Sequence, residues 1–333
     1  MVEHIWEEPD IYRIRLEVPW NPLKNLNIYV LKSAGEFLVI DTGFNRQECR
    51  EALWAGIREL KLDMSATVLF LTHYHEDHIG LVWDFVERGI PVYMGDKEYT
   101  YYSKRTPKEI TEDINAIFEY EGFPKEMLSE ADRESWFHMP KPGFPVTVMK
   151  SGQEFRIGDC RIIVIGTPGH TPGNSVLYLP DHELLFSGDH ILFDITPNIS
   201  IWPQMSHPLA DYLESLQKIR ELHIRTAFPA HREMGENVYG RIDEIVQHHK
   251  GRLDEICQTA AVHPGITAYD IAKSIHWSLR NLTWDDFPYN QKWFAMSESL
   301  AHIDYLVDKG QLIREAGGDS VNGYRSTDVQ ITH

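Results

Sequence analysis

The segment from Thr72 to His78 constrains this chain most, because it places four ligand-type side chains directly after an apolar, strand-like run at residues 67–71. Those side chains are His73, His75, Asp77 and His78. A tight turn at the end of a strand can aim alternate side chains at one point, so His73 and His75 are predicted to converge. Asp77 and His78 then begin the next helix and face a neighbouring point. Three histidines at this spacing, with an aspartate between them, predict a metal site.

Three later segments repeat this arrangement, each with a ligand-type residue in a small-residue turn after an apolar strand. The residues concerned are His170 in Pro168-Gly169-His170, Asp189 in Ser187-Gly188-Asp189 and His231 in Pro229-Ala230-His231. Glycine and proline let the backbone turn sharply there. Imidazole and carboxylate together suit a divalent transition metal rather than calcium or magnesium. Zinc is the expected ion, with iron or manganese as alternatives.

The order of these residues resembles the metallo-β-lactamase superfamily. The shared pattern is His73-x-His75-x-Asp77-His78, then His170, Asp189 and His231, with Asp41-Thr42-Gly43 upstream. The resemblance extends over roughly the first three quarters of the chain. It implies an α/β fold, the αβ/βα sandwich of two mixed β-sheets flanked by helices.

The resemblance also implies a role for each residue. It puts one metal on His73, His75 and His170, a second on Asp77, His78 and His231, and Asp189 as a bridge between them. Asp41 would orient the ligand-bearing loop through hydrogen bonds, although the sequence alone supports a turn residue before Gly43 nearly as well. Tyr74 and Glu76 are predicted to point away from the metals, and His190 to be an ordinary hydrogen-bonded histidine. The substrate-binding residues stay unknown.

The function implied is hydrolysis by a water or hydroxide that two divalent ions, roughly 3.5–4 Å apart, activate. Asp77 is the predicted catalytic residue, as acceptor of the nucleophile's proton. We expect a small ester, thioester or lactone as substrate. A nuclease or phosphodiesterase acting on nucleic acid is the alternative, and a mononuclear iron dioxygenase is a lesser one. Aromatic side chains of the covering loops, such as Tyr99, Tyr101 and Tyr102, either line a pocket or only pack.

Apolar periodicity predicts antiparallel strands first, then alternating strands and helices. The predicted strands are 11–18, 26–31, 36–40, 67–71, 91–94, 155–157, 161–165, 175–178, 184–187 and 226–228, and the predicted helices are 46–60, 77–88, 209–222, 241–259, 268–275 and 291–309. A mostly helical insertion is predicted at about 97–137. We expect a catalytic domain at 1–260 and a second domain at 261–333.

The C-terminal segment resembles the small winged-helix-like domain of some hydrolases of this superfamily, including a glyoxalase II-like group and an endoribonuclease branch. Its candidate recognition helix carries Glu298, Asp304 and Asp308 against Lys309 alone. A helix that binds nucleic acid needs exposed basic residues. We therefore predict a cap that shapes the pocket or a dimer interface, with a homodimer left open. Core packing is expected for most of the aromatic residues Phe287, Tyr289, Trp293 and Phe294.

The charge balance disfavours polyanionic partners, because the formal net charge is −18. The first eight residues lack the features of a signal peptide, and the apolar runs are too short to cross a bilayer. Three widely spaced cysteines, Cys49, Cys160 and Cys257, are expected to be free thiols. The sequence therefore predicts a cytoplasmic protein that binds a small molecule and no membrane.

Overall fold

A computed structural model of the protein describes residues 1–131, 139–277, 283–317 and 321–327. The end of the predicted insertion, 132–137, lies outside the described residues, as do 278–282, 318–320 and 328–333 of the predicted second domain. The chain forms two compact units. The first comprises Met1–Thr106, His138–Pro197 and Ser215–Ile242, and the second comprises Pro107–Phe137, Asn198–Glu214 and Asp243–His333. The predicted domain boundary at residues 260 and 261 stays a prediction.

A seven-stranded sheet in the first unit follows the order of the chain. Its strands are β1 (Val2–Glu7), β2 (Asp10–Val18), β3 (Lys24–Ser33), β4 (Glu36–Ile40), β5 (Thr67–Leu71), β6 (Val92–Gly95) and β7 (Thr147–Met149). Strands β1 to β4 pair antiparallel and strands β4 to β7 pair parallel. The sheet is mixed because short turns connect the first four strands, whereas parallel neighbours need longer crossover connections.

A five-stranded sheet in the same unit has the order β12-β11-β10-β9-β8. Its strands are β8 (Glu154–Ile157), β9 (Cys160–Gly166), β10 (Ser175–Leu179), β11 (Leu184–Gly188) and β12 (Thr226–Pro229). Only β11 and β12 run parallel, while the other neighbours run antiparallel. This sheet is therefore also mixed.

Apolar side chains of the two sheets meet in one core. Tyr29, Phe70 and Ile11 of the first sheet pack in the same buried cluster as Phe186 and Phe228 of the second. The rings of Tyr29 and Phe186 have centroids 5.5 Å apart. Full burial of each such side chain stabilises the fold by roughly 1.5–3 kcal/mol. The predicted sandwich of two mixed sheets is confirmed.

Ten α-helices occur in the described part of the chain. They are α1 (Gln47–Glu59), α2 (Glu76–Ile79), α3 (Val82–Val86), α4 (Asp96–Lys104), α5 (Pro107–Tyr120), α6 (Lys125–Ala131), α7 (Pro208–Arg220), α8 (Val238–Val262), α9 (Ala268–Ser274) and α10 (Tyr289–Asp308). Helix α1 packs tightly on β2, since a Cβ added at Gly56 would stand 2.7 Å from the Ile14 side chain.

The prediction of one continuous helix over 77–88 is wrong, because Gly80 and Leu81 separate α2 from α3. The backbone groups at the break bond to Thr42 instead of continuing the helix. Leu81 N–H donates to Thr42 Oγ1 at 3.1 Å, and Thr42 N–H donates to the His78 carbonyl at 2.8 Å. The turn after β4 therefore replaces the helical bonds.

The second unit is mainly helical and includes a two-stranded hairpin of β13 (Leu312–Glu315) and β14 (Gly323–Ser326). Helix α10 packs against α6, α9 and β13. Trp293 packs against Phe118 with ring centroids 5.5 Å apart and donates from Nε1 to Asn115. Phe287 is buried and Tyr289 faces Phe123, whereas Phe294 is exposed. The winged-helix character of this unit stays a prediction.

Two expectations from the sequence concern free cysteines and membrane-spanning helices. Cys49, Cys160 and Cys257 are buried free thiols, as predicted. None of the helices in the described ranges combines the length and the apolar character that a bilayer span requires.

Candidate metal centre

The seven predicted ligands lie together in the first unit, in turns that follow strands. His73, His75, Asp77 and His78 follow β5, and His170 lies between β9 and β10, while Asp189 and His231 follow β11 and β12. Their ligand atoms fall into three groups, each with its atoms within 4.8 Å of one another. The groups are His73, His75 and His170; His73, His78 and Asp189; and Asp77, His78 and His231.

The first group brings three imidazole nitrogens close together. His73 Nε2 lies 3.0 Å from His75 Nδ1, which lies 3.1 Å from His170 Nε2. Nitrogens that share one tetrahedral zinc ion at about 2.0–2.1 Å would stand about 3.3 Å from one another. The spacing of this group is therefore close to that of ligands around one ion.

Another of these groups, formed by Asp77, His78 and His231, combines two imidazoles with a carboxylate. Asp77 Oδ2 lies 3.4 Å from His78 Nε2 and 3.3 Å from His231 Nε2. All three side chains are buried. This mixture of one anionic oxygen and two nitrogens is a ligand set that suits divalent transition metals.

Asp189 lies between these two groups and faces both. Its Oδ2 is 3.6 Å from His170 Nε2. Its Oδ1 is 3.6 Å from His78 Nε2 and 3.1 Å from His231 Nε2. The two oxygens of one carboxylate thus point to different groups.

Hydrogen bonds on the far side of the rings determine which nitrogen faces the centre. His78 Nδ1 donates to Asp41 Oδ2 at 2.8 Å, and Thr72 N–H donates to Asp41 Oδ1 at 2.8 Å. His231 Nδ1 donates to the Asn25 carbonyl at 3.1 Å. With Nδ1 engaged, each ring presents Nε2 to the carboxylates, as the outer partners of metal-bound histidines do.

Polar residues of β3, which were not predicted from the sequence, hold the turn that carries His231. Asn27 Nδ2 and the Tyr29 hydroxyl both donate to the Pro229 carbonyl, at 3.0 and 2.7 Å. Asn25 and Asn27 are almost completely buried. Two asparagines at the start of an otherwise apolar strand were the available signal, because buried amides need partners.

Three buried atoms of the centre have no hydrogen bond of good geometry to any described residue. They are His78 Nε2, His231 Nε2 and Asp189 Oδ1, although His231 Nε2 lies 3.1 Å from Asp189 Oδ1. A buried polar group without a partner is costly. A cation shared by these atoms would satisfy them, so the residues fit a bound metal.

The charge states of the side chains also fit a cation. Burial and the neighbouring His170 lower the pKa of His75 to about 3, so its imidazole is neutral. Burial lowers the pKa of His231, but the facing Asp189 carboxylate raises it, to a final value of about 10. Burial alone would raise the pKa of Asp189, yet His231 and His78 lower it below its usual range. A divalent ion would take the place of the imidazole protons that the ionised carboxylates stabilise.

The remaining predicted residues lie around the centre. Tyr74 is buried and lies near Tyr101 and Tyr102, with ring centroids 5.8 and 6.0 Å away. These two tyrosines are themselves buried, which favours packing over pocket lining. Burial and the adjacent Asp77 raise the pKa of Glu76 to about 7. His190 is buried and belongs to none of the three ligand groups found among the described residues.

Family models match most of the chain. One described as "Metallo-beta-lactamase superfamily" matches residues 22–231, and one described as "Metallo-beta-lactamase-like, C-terminal domain" matches residues 253–327. The glyoxalase II-like branch assignment stays a prediction.

Curated proteins from three organisms are similar in sequence to this chain. The "Beta-lactamase-like protein 2 homolog" of Caenorhabditis elegans is 27% identical over 263 residues, which cover 78% of this chain and 74% of that protein. The "Atrochrysone carboxyl ACP thioesterase" of Aspergillus fumigatus is 26% identical over 70% of this chain and 59% of that protein. A "Probable metallo-hydrolase" of Bacillus subtilis is 24% identical over 89% of this chain and 92% of that protein.

A solved structure shows the same architecture over almost the full length. The crystal structure of a metallo-beta-lactamase family protein from Thermus thermophilus matches with a TM-score of 0.79 and 28% identity, covering 95% of this chain and 98% of that one. The chain therefore belongs to the metallo-beta-lactamase superfamily and is a metallohydrolase of that fold.

Proposed function

We propose that this protein is a two-metal hydrolase of small esters, thioesters or lactones. His73, His75 and His170 would hold one divalent ion, and Asp77, His78 and His231 the other. The observation that carries the proposal is the position of Asp189, whose two oxygens face different groups of histidines. A carboxylate in this position can bind two ions at once.

The chain's own residues would hold the ions and move one proton. When bound, two divalent ions polarise a scissile carbonyl group and lower the pKa of a water nucleophile. Burial would raise the pKa of Asp77, but His78 and His231 together lower it well below its usual range. Asp77 is thus ionised, and with Oδ2 facing the imidazoles, Oδ1 is the oxygen proposed to accept the nucleophile's proton.

Two considerations support the substrate class and the metal. The similar Aspergillus protein carries the name of a thioesterase, which favours an activated acyl group as the substrate of this chain. A ligand set dominated by imidazole nitrogen suits zinc, which needs no octahedral shell of oxygens. We therefore propose zinc, and iron or manganese would be the alternative outcomes of metal analysis.

The proposal is tested by metal content together with turnover. Elemental analysis of the purified protein should give about two ions per chain, and a panel of thioesters, esters, lactones and phosphodiesters should show turnover of the acyl compounds. His170→Ala should lower both metal content and turnover, whereas His223→Ala removes an exposed histidine and should change neither. A single ion per chain in excess metal, or turnover of phosphodiesters alone, would contradict the proposal.

A further inference from the structure

A buried glutamate joins the two turns that carry the first group of histidines. Glu98 lies in α4 and is fully buried. Its Oε1 accepts from Tyr74 N–H at 2.8 Å, and its Oε2 accepts from Gly173 N–H at 2.7 Å. Tyr74 stands between His73 and His75, and Gly173 follows His170 in the same turn. One carboxylate therefore spans both ligand-bearing turns.

Close backbone packing leaves this glutamate little freedom. A Cβ added at Gly173 would stand 2.1 Å from Glu98 N and 2.6 Å from Glu98 Cα. A Cβ added at Gly95, just before α4, would stand 2.4 Å from Ser175 Oγ. The turn after β9 thus rests directly on the first turn of α4, and the position of the carboxylate follows from that contact.

We propose that Glu98 is a positioning residue for the metal centre, which fixes the distance between the His73–His75 turn and the His170 turn. The inference rests on the proposed function, because it assigns Glu98 the task of holding three imidazoles at the spacing that one ion needs. Glu98 does not contact the ligand atoms themselves. It acts through Tyr74 and Gly173, whose backbone groups it holds.

The task requires a carboxylate and not merely a side chain of this size. Two backbone N–H groups need two acceptor oxygens, which glutamate supplies. Glutamine has nearly the same shape, but its NH₂ group would face one of the two donors. Burial raises the pKa of Glu98 to about 7, while the hydrogen bond from Tyr74 N–H opposes that rise. Glu98→Gln therefore breaks one of the two links with little change in volume.

The experiment compares Glu98→Gln with Glu121→Gln in the full-length protein. Glu121 is also buried and also accepts two hydrogen bonds, from Tyr324 and Asn322 of the second unit. It controls for the general cost of neutralising a buried glutamate. Chelator competition with zinc measures the affinity for each ion, and steady-state kinetics in limiting and excess zinc give kcat and KM.

We expect Glu98→Gln to bind the ion of the His73, His75 and His170 group roughly 10–100-fold less tightly than the wild type, as loss of other ligand-orienting residues does. Its kcat should recover in excess zinc with KM unchanged, which a merely structural defect would not produce. Glu121→Gln should keep the wild-type zinc affinity. If Glu98→Gln is insoluble, Glu98→Asp, which keeps the charge but is too short for both donors, should show the same weakened binding.

Two outcomes would overturn the inference, and they are distinguishable. Wild-type zinc affinity in a folded Glu98→Gln protein would overturn the role of Glu98 and leave the proposed function intact. A wild-type protein that binds no zinc even in excess would overturn both.

Discussion

Hydrogen bonds at single residues determine how the imidazoles of the centre are presented. Asp41 has a backbone φ of +64°, a conformation that aspartate tolerates better than most residues. From that position its two oxygens reach both Thr72 and His78. The residue that could have been an ordinary turn former thus connects the turn after β4 to a predicted ligand.

Replacing Asp189 with asparagine tests whether this single carboxylate bridges two ions. The variant keeps the shape of the side chain but removes the charge that faces both groups of histidines. We expect it to keep the fold, to lose about one ion per chain and to lose turnover on the order of 100-fold or more, as when other electrostatic groups of active sites are removed. Elemental analysis, circular dichroism and thioester hydrolysis measure these effects.

Asp181→Asn is the matched control, because Asp181 is an exposed aspartate in the turn before β11. It should retain wild-type metal content and turnover. Full metal content and undiminished turnover in Asp189→Asn would show that Asp189 does not bridge two ions.

At the scale of elements, the break between α2 and α3 brings the turn after β4 against the ligand-bearing helix. A Cβ added at Gly80 would meet Asn45 N, Glu76 O and Gly43 O, each at 2.5 Å. These are backbone atoms, which cannot rotate away. The break therefore depends on a residue without a side chain.

Gly80→Ala and Gly251→Ala should have opposite effects on stability. Gly251 lies inside α8, where an added Cβ would meet nothing within 4 Å, so alanine should stabilise that helix by roughly 0.5–1 kcal/mol. Gly80→Ala should destabilise the protein by about 1–3 kcal/mol, as overpacking commonly does. Urea unfolding of the zinc-loaded proteins measures both. A Gly80→Ala protein as stable as the wild type would show that the turn can shift at little cost.

Some elements could be predicted from the sequence and others could not, for physical reasons. Strand β5 was predicted with its observed bounds, because five consecutive apolar or β-branched residues precede the ligand turn. Strand β1 was not, since its residues, Val2–Glu7, alternate weakly and none is buried. The partners of Glu98 are far apart in sequence, at Tyr74 and Gly173. No local pattern could show that the fold brings them together.

At the scale of the whole molecule, charge and burial both disfavour nucleic acid as a partner. The formal net charge is −18. Residues 295–303, in the middle of α10, are buried. A helix that reads a groove has to expose the face that contacts the bases. The structure thus offers no accessible reading face along this part of α10.

We expect RNA and duplex DNA to bind no more tightly than the roughly 1–100 µM typical of non-specific contacts at physiological salt. A protein that neutralises few phosphates gains little from counterion release. Titration of labelled RNA and DNA across a salt series measures this directly. Submicromolar binding with a steep salt dependence, lost when residues after Ala261 are removed while thioester turnover persists, would instead favour the nuclease alternative.

The seven predicted ligands come from both sheets, with four after β5 and three after strands of the other sheet. The last of them, His231, stands late in the first unit. A growing chain on the ribosome therefore cannot assemble the full set until residue 231 has left the exit tunnel and the second sheet has docked. An ion acquired earlier could be held by His73, His75 and His170 once residue 170 has emerged. Complete loading has to follow synthesis of the catalytic unit.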